Sequence, residues 1–221
     1  MTWAQQILAF NQSLKIEAKL PKGVAVLNPF ADAVTFELAK KFYSRYYNDT
    51  NPRTLILGIN PGRFGAGLTG VPFTDPKKLV ERCGIVNTLP KKAELSADFI
   101  WMMIDACGGP EKFFGRYYIS SISPLGFTRN VKNLNYYDDK RLTQAIIPFA
   151  VSALREQIGF GLKTDVCYCL GEGKNMQFLT RLNEAHHFFK TLIPLPHPRF
   201  IMQYRRKKLD EFLMLYAGKL G

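Results

Sequence analysis

Two periods of apolar and polar residues alternate along this chain. Val34, Leu38, Phe42 and Tyr46 recur at helical spacing and predict a helix over 31–48. Thr54-Leu55-Ile56-Leu57 is a short apolar run, the pattern of a strand covered on both faces, and predicts a strand over 54–59. Residues 97–107 read as a helix, with Ser96 as its N-cap and Gly108-Gly109-Pro110 as its stop. A second strand is predicted over 117–121. It is followed by a helix over 142–158, in which Pro148 introduces a kink or a break. Then come a third strand over 165–170, a helix over 173–183, a fourth strand over 188–194 and a basic C-terminal helix over 202–216.

Strands alternating with helices imply a parallel sheet with helices on both faces. The expected fold is therefore α/β: a three-layer α/β/α arrangement around a central four-stranded parallel sheet. One domain is expected over 1–221, with residues 1–50 as an N-terminal helical lead-in. Parallel strands bring their carboxyl ends to one edge, where ligands bind in open α/β sheets. Polar punctuation falls at those ends: Asn60 after the first strand, Ser121 and Ser123 after the second, Gly171 and Gly173 after the third, His197 after the fourth. That edge is the expected site.

Charge sharpens this picture. The 221 residues carry a formal net charge of +12, which points to a polyanionic partner, nucleic acid ahead of an anionic membrane. No apolar run reaches the roughly 18 residues of a membrane span. Residues 1–20 include Gln5, Gln6 and Glu17 and lack a signal-peptide layout, so the expected location is the cytoplasm. None of the four cysteines forms a CxxC pair; Cys83, Cys107, Cys167 and Cys169 are expected to be reduced, with no metal site and no cofactor.

Residues 57–73 hold the most informative run, Leu-Gly-Ile-Asn-Pro-Gly-Arg-Phe-Gly-Ala-Gly-Leu-Thr-Gly-Val-Pro-Phe. Its glycines let backbone approach a ligand closely. Asn60 at the strand end and Phe73 beyond suit a flat polar ring. The run matches neither GxGxxG nor GxxxxGK[ST], which argues against the common nucleotide-phosphate loops.

Gly58-Ile59-Asn60-Pro61-Gly62-Arg63-Phe64-Gly65, with Thr69-Gly70-Val71-Pro72-Phe73, resembles the first motif of the single-strand-selective monofunctional uracil-DNA glycosylases. His197-Pro198-Arg199 is similar to the start of their second motif. Between the two, Glu94-Leu95-Ser96 with Phe99 and Trp101, Cys107 to Phe114, and Ser123-Pro124-Leu125 carry the likeness across residues 54–210, in a divergent bacterial branch of that family.

The resemblance implies hydrolysis of the N-glycosidic bond of a deaminated base flipped out of DNA. His197 matches the residue that donates to the leaving base, and losing such a donor costs about 100- to 1000-fold in rate. Asn60 matches the residue that orients the attacking water, and Phe73 the ring that stacks on the base. Ile59, Gly62, Phe64, Gly65 and Ser121 complete the implied base pocket. No lysine matches a Schiff-base nucleophile, which implies a monofunctional enzyme without lyase activity. The resemblance makes Arg199, Phe200 and Met202 candidate wedges into the stack, and by charge and position Arg63 in the glycine loop and Arg205, Arg206 and Lys207 near His197 are candidate phosphate contacts. Arg129, Lys132 and Lys140 around Tyr136-Tyr137 form a basic, aromatic loop suited to single-stranded DNA. A monomer is expected.

The chain departs from the family pattern in two places. Ser121 stands where the family has an asparagine that reads the uracil edge, and a hydroxyl is shorter and both donates and accepts. Weaker discrimination is expected, with room for xanthine or hypoxanthine. After His197 the family's Ser-Pro-Arg-Asn gives way to Arg199-Phe200-Ile201-Met202. Two other classes compete: a noncatalytic nucleic-acid binder, which would have no need of Asn60 and His197, and a nucleoside hydrolase, which would have no need of +12.

Overall fold

The structure, a computed structural model, describes residues 1–220. Its helices are α1 (Trp3–Ser13), α2 (Ala33–Tyr46), α3 (Ala66–Thr69), α4 (Pro76–Cys83), α5 (Leu95–Ala106), α6 (Pro110–Arg116), α7 (Lys140–Ala145), α8 (Ile147–Ile158), α9 (Lys174–His186), α10 (Pro198–Tyr204) and α11 (Leu209–Leu220). The strands are β1 (Val24–Leu27), β2 (Arg53–Gly58), β3 (Tyr117–Ser121), β4 (Gly126–Arg129), β5 (Lys132–Leu134), β6 (Leu162–Leu170) and β7 (Thr191–Leu195).

The main sheet runs β3-β2-β6-β7 and is parallel throughout, as the alternation of elements predicts. Leu55, Ile56 and Leu57 at its centre are fully buried, because helices cover both faces. Gly58 pairs with Ser121, Leu57 with Cys169 and Leu170 with Leu195. The strands thus end almost level, and the loops after them open onto one edge. The buried core runs through the whole chain, from Trp3 to Leu220.

Arg53, fully buried at the start of β2, donates to Phe114 O at 2.7 Å and pairs with Asp49 at 2.7 Å. Its guanidinium lies 5.2 Å from the Trp3 ring and 4.8 Å from that of Tyr47. This arrangement ties α1 and the end of α2 to the sheet. Thr2 and Gln5 form a reciprocal capping box that starts α1.

Several predicted elements differ in detail. The helix over 142–158 divides at Ile146, and Pro148 sits in the first turn of α8, where its missing N–H leaves no bond unmade. Ser96 is not the N-cap of α5; Glu94 holds that position and Ser96 is buried inside the first turn. The helix over 202–216 is two helices joined by a 3₁₀ turn at Arg206–Lys208. Both α10 and α11 pack on α5, which a straight helix could not do, and the run of cations from Arg205 marks the bend. An antiparallel ribbon, β1-β4-β5, was not predicted, since Lys132-Asn133-Leu134 reads as loop.

Candidate active site

A cavity of about 680 Å³ opens at the carboxyl edge of the main sheet. Each strand of that sheet contributes to its wall: Ile59, Asn60, Pro61 and Gly62 after β2, Ser121 at the end of β3, Gly171 and Asn175 after β6, and His197, Arg199 and Phe200 after β7. Phe73, Glu94 and Tyr137 close the sides.

The Asn60 amide is held by backbone of its own loop, of the end of β5 and of the segment just after it. Its Nδ2 donates to Leu134 O at 3.3 Å and Pro61 O at 3.4 Å, while Oδ1 accepts from Tyr136 N at 3.1 Å. Both amide hydrogens are committed, so what remains is acceptor capacity on Oδ1. That oxygen can orient a water molecule by accepting one of its hydrogens, but an amide does not remove a proton.

His197 is the N-cap of α10, and its Nδ1 accepts from Arg199 N–H at 3.1 Å. This bond assigns the proton to Nε2, leaving the ring a donor there. Burial, and next the nearby Arg199 cation, push its pKa down from 6.5 to about 4. At neutral pH the ring is an uncharged donor, suited to stabilising developing negative charge on an oxygen.

Phe73 lies 6.4 Å from the His197 ring, centroid to centroid. Its ring covers Gly58, where a Cβ would come within 3.1 Å of it. With φ of 51°, Phe73 occupies the left-handed region, an uncommon conformation for a bulky side chain that is often stored at functional sites. Ser121, nearly buried, stands between the main cavity and a chamber of about 20 Å³ lined also by Asn11 and Tyr43.

Other expected site residues lie elsewhere. Phe64 is not part of the cavity lining, is 36% exposed, and has the Arg63 and Lys92 cations over its ring at 4.6 and 4.4 Å. Gly65 is behind the wall, where any Cβ would overlap a carboxylate oxygen of Glu94. Met202 is only 6% exposed and packs in the core, so it is no wedge. Arg199 and Phe200 do reach the cavity mouth, with the Arg205 guanidinium 5.3 Å from the Phe200 ring. Arg206 and Lys207 are exposed on the 3₁₀ turn beyond, outside the cavity lining. Tyr136 is fully buried and donates to Asn175 Oδ1 at 2.7 Å, while Arg129 pairs with Asp139 at 2.6 Å, so the loop expected to grip single strands is largely structural.

A sequence model of the uracil DNA glycosylase superfamily matches residues 44–220. The chain belongs to the uracil DNA glycosylase superfamily. It is 30% identical over 117 residues to the single-strand selective monofunctional uracil DNA glycosylase of Bos taurus, covering 45% of this chain and 42% of that protein. To the Rattus norvegicus protein of the same description it is 29% identical over 140 residues, covering 53% and 49% respectively. It thus spans less than half the length of these curated relatives. The crystal structure of wild-type Pedobacter heparinus SMUG2 superposes with a TM-score of 0.97 at 45% identity, covering 99% of this chain and 97% of that one.

Asn175 and Glu94 are among the residues of this glycosylase-fold cavity to which the sequence assigns no site role. Asn175 donates to Leu170 O at 3.0 Å and Gly58 O at 3.4 Å, locking the ends of β6 and β2 together. Glu94 exposes a carboxyl to the cavity, and burial, then the Asp75 charge, raise its pKa from 4.5 to about 7. No local pattern marks Asn175, and Glu94 stands in a stretch that carries the family likeness without pointing to a role, since the partners of both are distant in sequence. Among the described residues no group of three or more His, Cys, Asp or Glu side chains could hold a metal ion, and no helix is long and apolar enough to cross a membrane.

Proposed function

We propose that this protein is a monofunctional DNA glycosylase that hydrolyses the N-glycosidic bond of uracil in DNA, acting as a monomer. The observation that carries the reading is an uncharged His197 donor facing the same cavity as the Asn60 acceptor and the Phe73 ring. A flipped base stacks on Phe73, an interaction worth about 1–3 kcal/mol. As the glycosidic bond breaks, negative charge gathers on the base and the His197 Nε2–H stabilises it. Water held by Asn60 adds to C1′. The +12 balance and the cations at the mouth, Arg199 and Arg205, suit a phosphate backbone. Lys174, among the lining residues, directs its ammonium over the Tyr137 ring at 5.8 Å rather than serving as a nucleophile.

Xanthine and hypoxanthine are further substrates in this reading. Ser121 is shorter than an asparagine, and the chamber behind it has room for about one water, which would let the edge of the pocket adapt to larger bases.

Base release from an end-labelled oligonucleotide with a single uracil, followed by alkaline cleavage, tests the proposal. Scission should require uracil and alkali, and should fall at least about 100-fold in His197→Ala. Asn60→Ala should fall as well. A protein that binds DNA without releasing base would overturn the reading. In the same assay Ser121→Asn should favour uracil over the two purines; an unchanged ratio would remove Ser121 as the selector.

A further inference from the structure

We propose that Glu94 is a third catalytic residue, whose carboxylate takes the proton of the water that Asn60 orients as that water attacks C1′. The inference rests on the glycosylase reading and addresses a gap within it. Asn60 has both amide hydrogens bound to backbone and no basic atom, so the proton of the attacking water has no acceptor there. His197 donates toward the base and is occupied at Nδ1. Glu94 supplies the missing group.

Its placement is unusual for an N-cap residue. The side chain makes no capping hydrogen bond to α5. Instead it turns into the cavity against the glycine loop that follows Asn60, with Oε1 3.6 Å from where a Cβ on Gly62 would stand. Gly65 leaves the space the carboxyl fills, since a Cβ there would overlap it. Its backbone is fixed by Asp75, which caps α4 through Oδ1 and accepts from Glu94 N–H through Oδ2 at 2.9 Å. Both Asp75 oxygens are used, and among the described residues the Glu94 carboxyl has no hydrogen-bond or ion-pair partner of its own. It is anchored, half-buried and free to bind something in the cavity.

The charged groups around it are Asp75 from α4, which disfavours its ionised form, and Arg199 from α10, which favours it. His197, Glu172 and Lys174 also line the cavity. With a pKa near 7, Glu94 matches the range in which a general base works best at neutral pH. His197 titrates far lower, so it does not mask a limb near neutrality. The step balances: the water oxygen bonds to C1′, the C1′–N bond breaks with its electron pair leaving on the base, and the proton moves to Glu94. It then returns to the departing base or to solvent.

Single-turnover uracil release across pH 5–9 tests this. The wild-type rate should rise about tenfold per pH unit below neutrality and level off above it. Glu94→Gln should lose that limb and drop the plateau about 100-fold, the size of a general-base contribution. Its affinity for DNA bearing an uncleavable 2′-fluoro deoxyuridine should stay within about threefold of wild type. Glu94→Asp should keep the limb with a lower plateau, which carries the test if the glutamine variant melts early. Gly65→Ala, which retains the carboxylate but pushes it aside, should fall as far as Glu94→Gln, and the double variant no further. An unchanged limb in Glu94→Gln, or a loss seen only in affinity, overturns the inference and leaves the glycosylase reading intact. A wild type that releases no base overturns both.

Discussion

His197 and Glu94 should tilt the pH dependence of stability in opposite directions, and each can be isolated by substitution. His197 has its pKa lowered from 6.5 to about 4, so the unfolded chain takes up a proton first on acidification. Stability from keeping this ring neutral is complete above 6.5 and is lost as pH falls toward 4. A displacement of that size corresponds to about 3 kcal/mol. Glu94 has its pKa raised from 4.5 to about 7, so the folded chain holds a proton that the unfolded one releases. Its contribution is complete below 4.5 and is lost as pH rises through 7, again by about 3 kcal/mol. Between 4.5 and 6.5 the two slopes cancel. Relative to wild type, His197→Gln should therefore gain about 3 kcal/mol between pH 6.5 and 4, and Glu94→Gln should gain about 3 kcal/mol between pH 4.5 and 7. Urea unfolding at constant ionic strength, followed by fluorescence of the buried Trp3 and Trp101, measures both. Taking the difference from wild type removes the other carboxylates. Difference curves flat within about 1 kcal/mol, or tilted the same way, would refute the assignment of these two protonation states.

Replacing Arg53 by Ala strands the buried carbonyl of Phe114 and removes the cation between Trp3 and Tyr47, and should cost about 3–5 kcal/mol. A loss under about 1 kcal/mol in the same urea titration would show that the pair is dispensable. Phe73→Ala should weaken binding of the 2′-fluoro oligonucleotide by about 1–3 kcal/mol, with undamaged DNA unaffected; equal loss on both would assign the ring to packing. Removing Arg206 and Lys207 together should lower the salt dependence of DNA affinity by about 1.4–1.8 in log–log slope, uniformly across sequences. An unchanged slope would take both side chains off the phosphate path.

The parallel sheet and its functional edge were legible because their signals are local. Leu55-Ile56-Leu57 and Tyr117 to Ser121 declare buried strands within a few residues, and the change to Gly, Asn or Pro after each marks where backbone leaves the sheet. Asn60, Ser121 and His197 could be named from their positions at those breaks. What surrounds them could not. The Asn60 clamp joins residues separated by 74 and 76 positions, across a ribbon whose strands are too short and polar to announce themselves. Met202 and Tyr136 were read from chemistry that suits DNA, yet packing turned both inward. Glu94 looked like one acidic residue before a helix, with Ser96 the better cap by type. Only burial against the glycine loop and the neighbouring charge of Asp75 raised its pKa, with the Arg199 cation opposing them. The chain by itself determined which residues reach the sheet edge, since strand period and breakers act over short range. Tertiary packing decided their protonation and hydrogen-bond partners, because desolvation and charge depend on neighbours that sequence distance does not reveal.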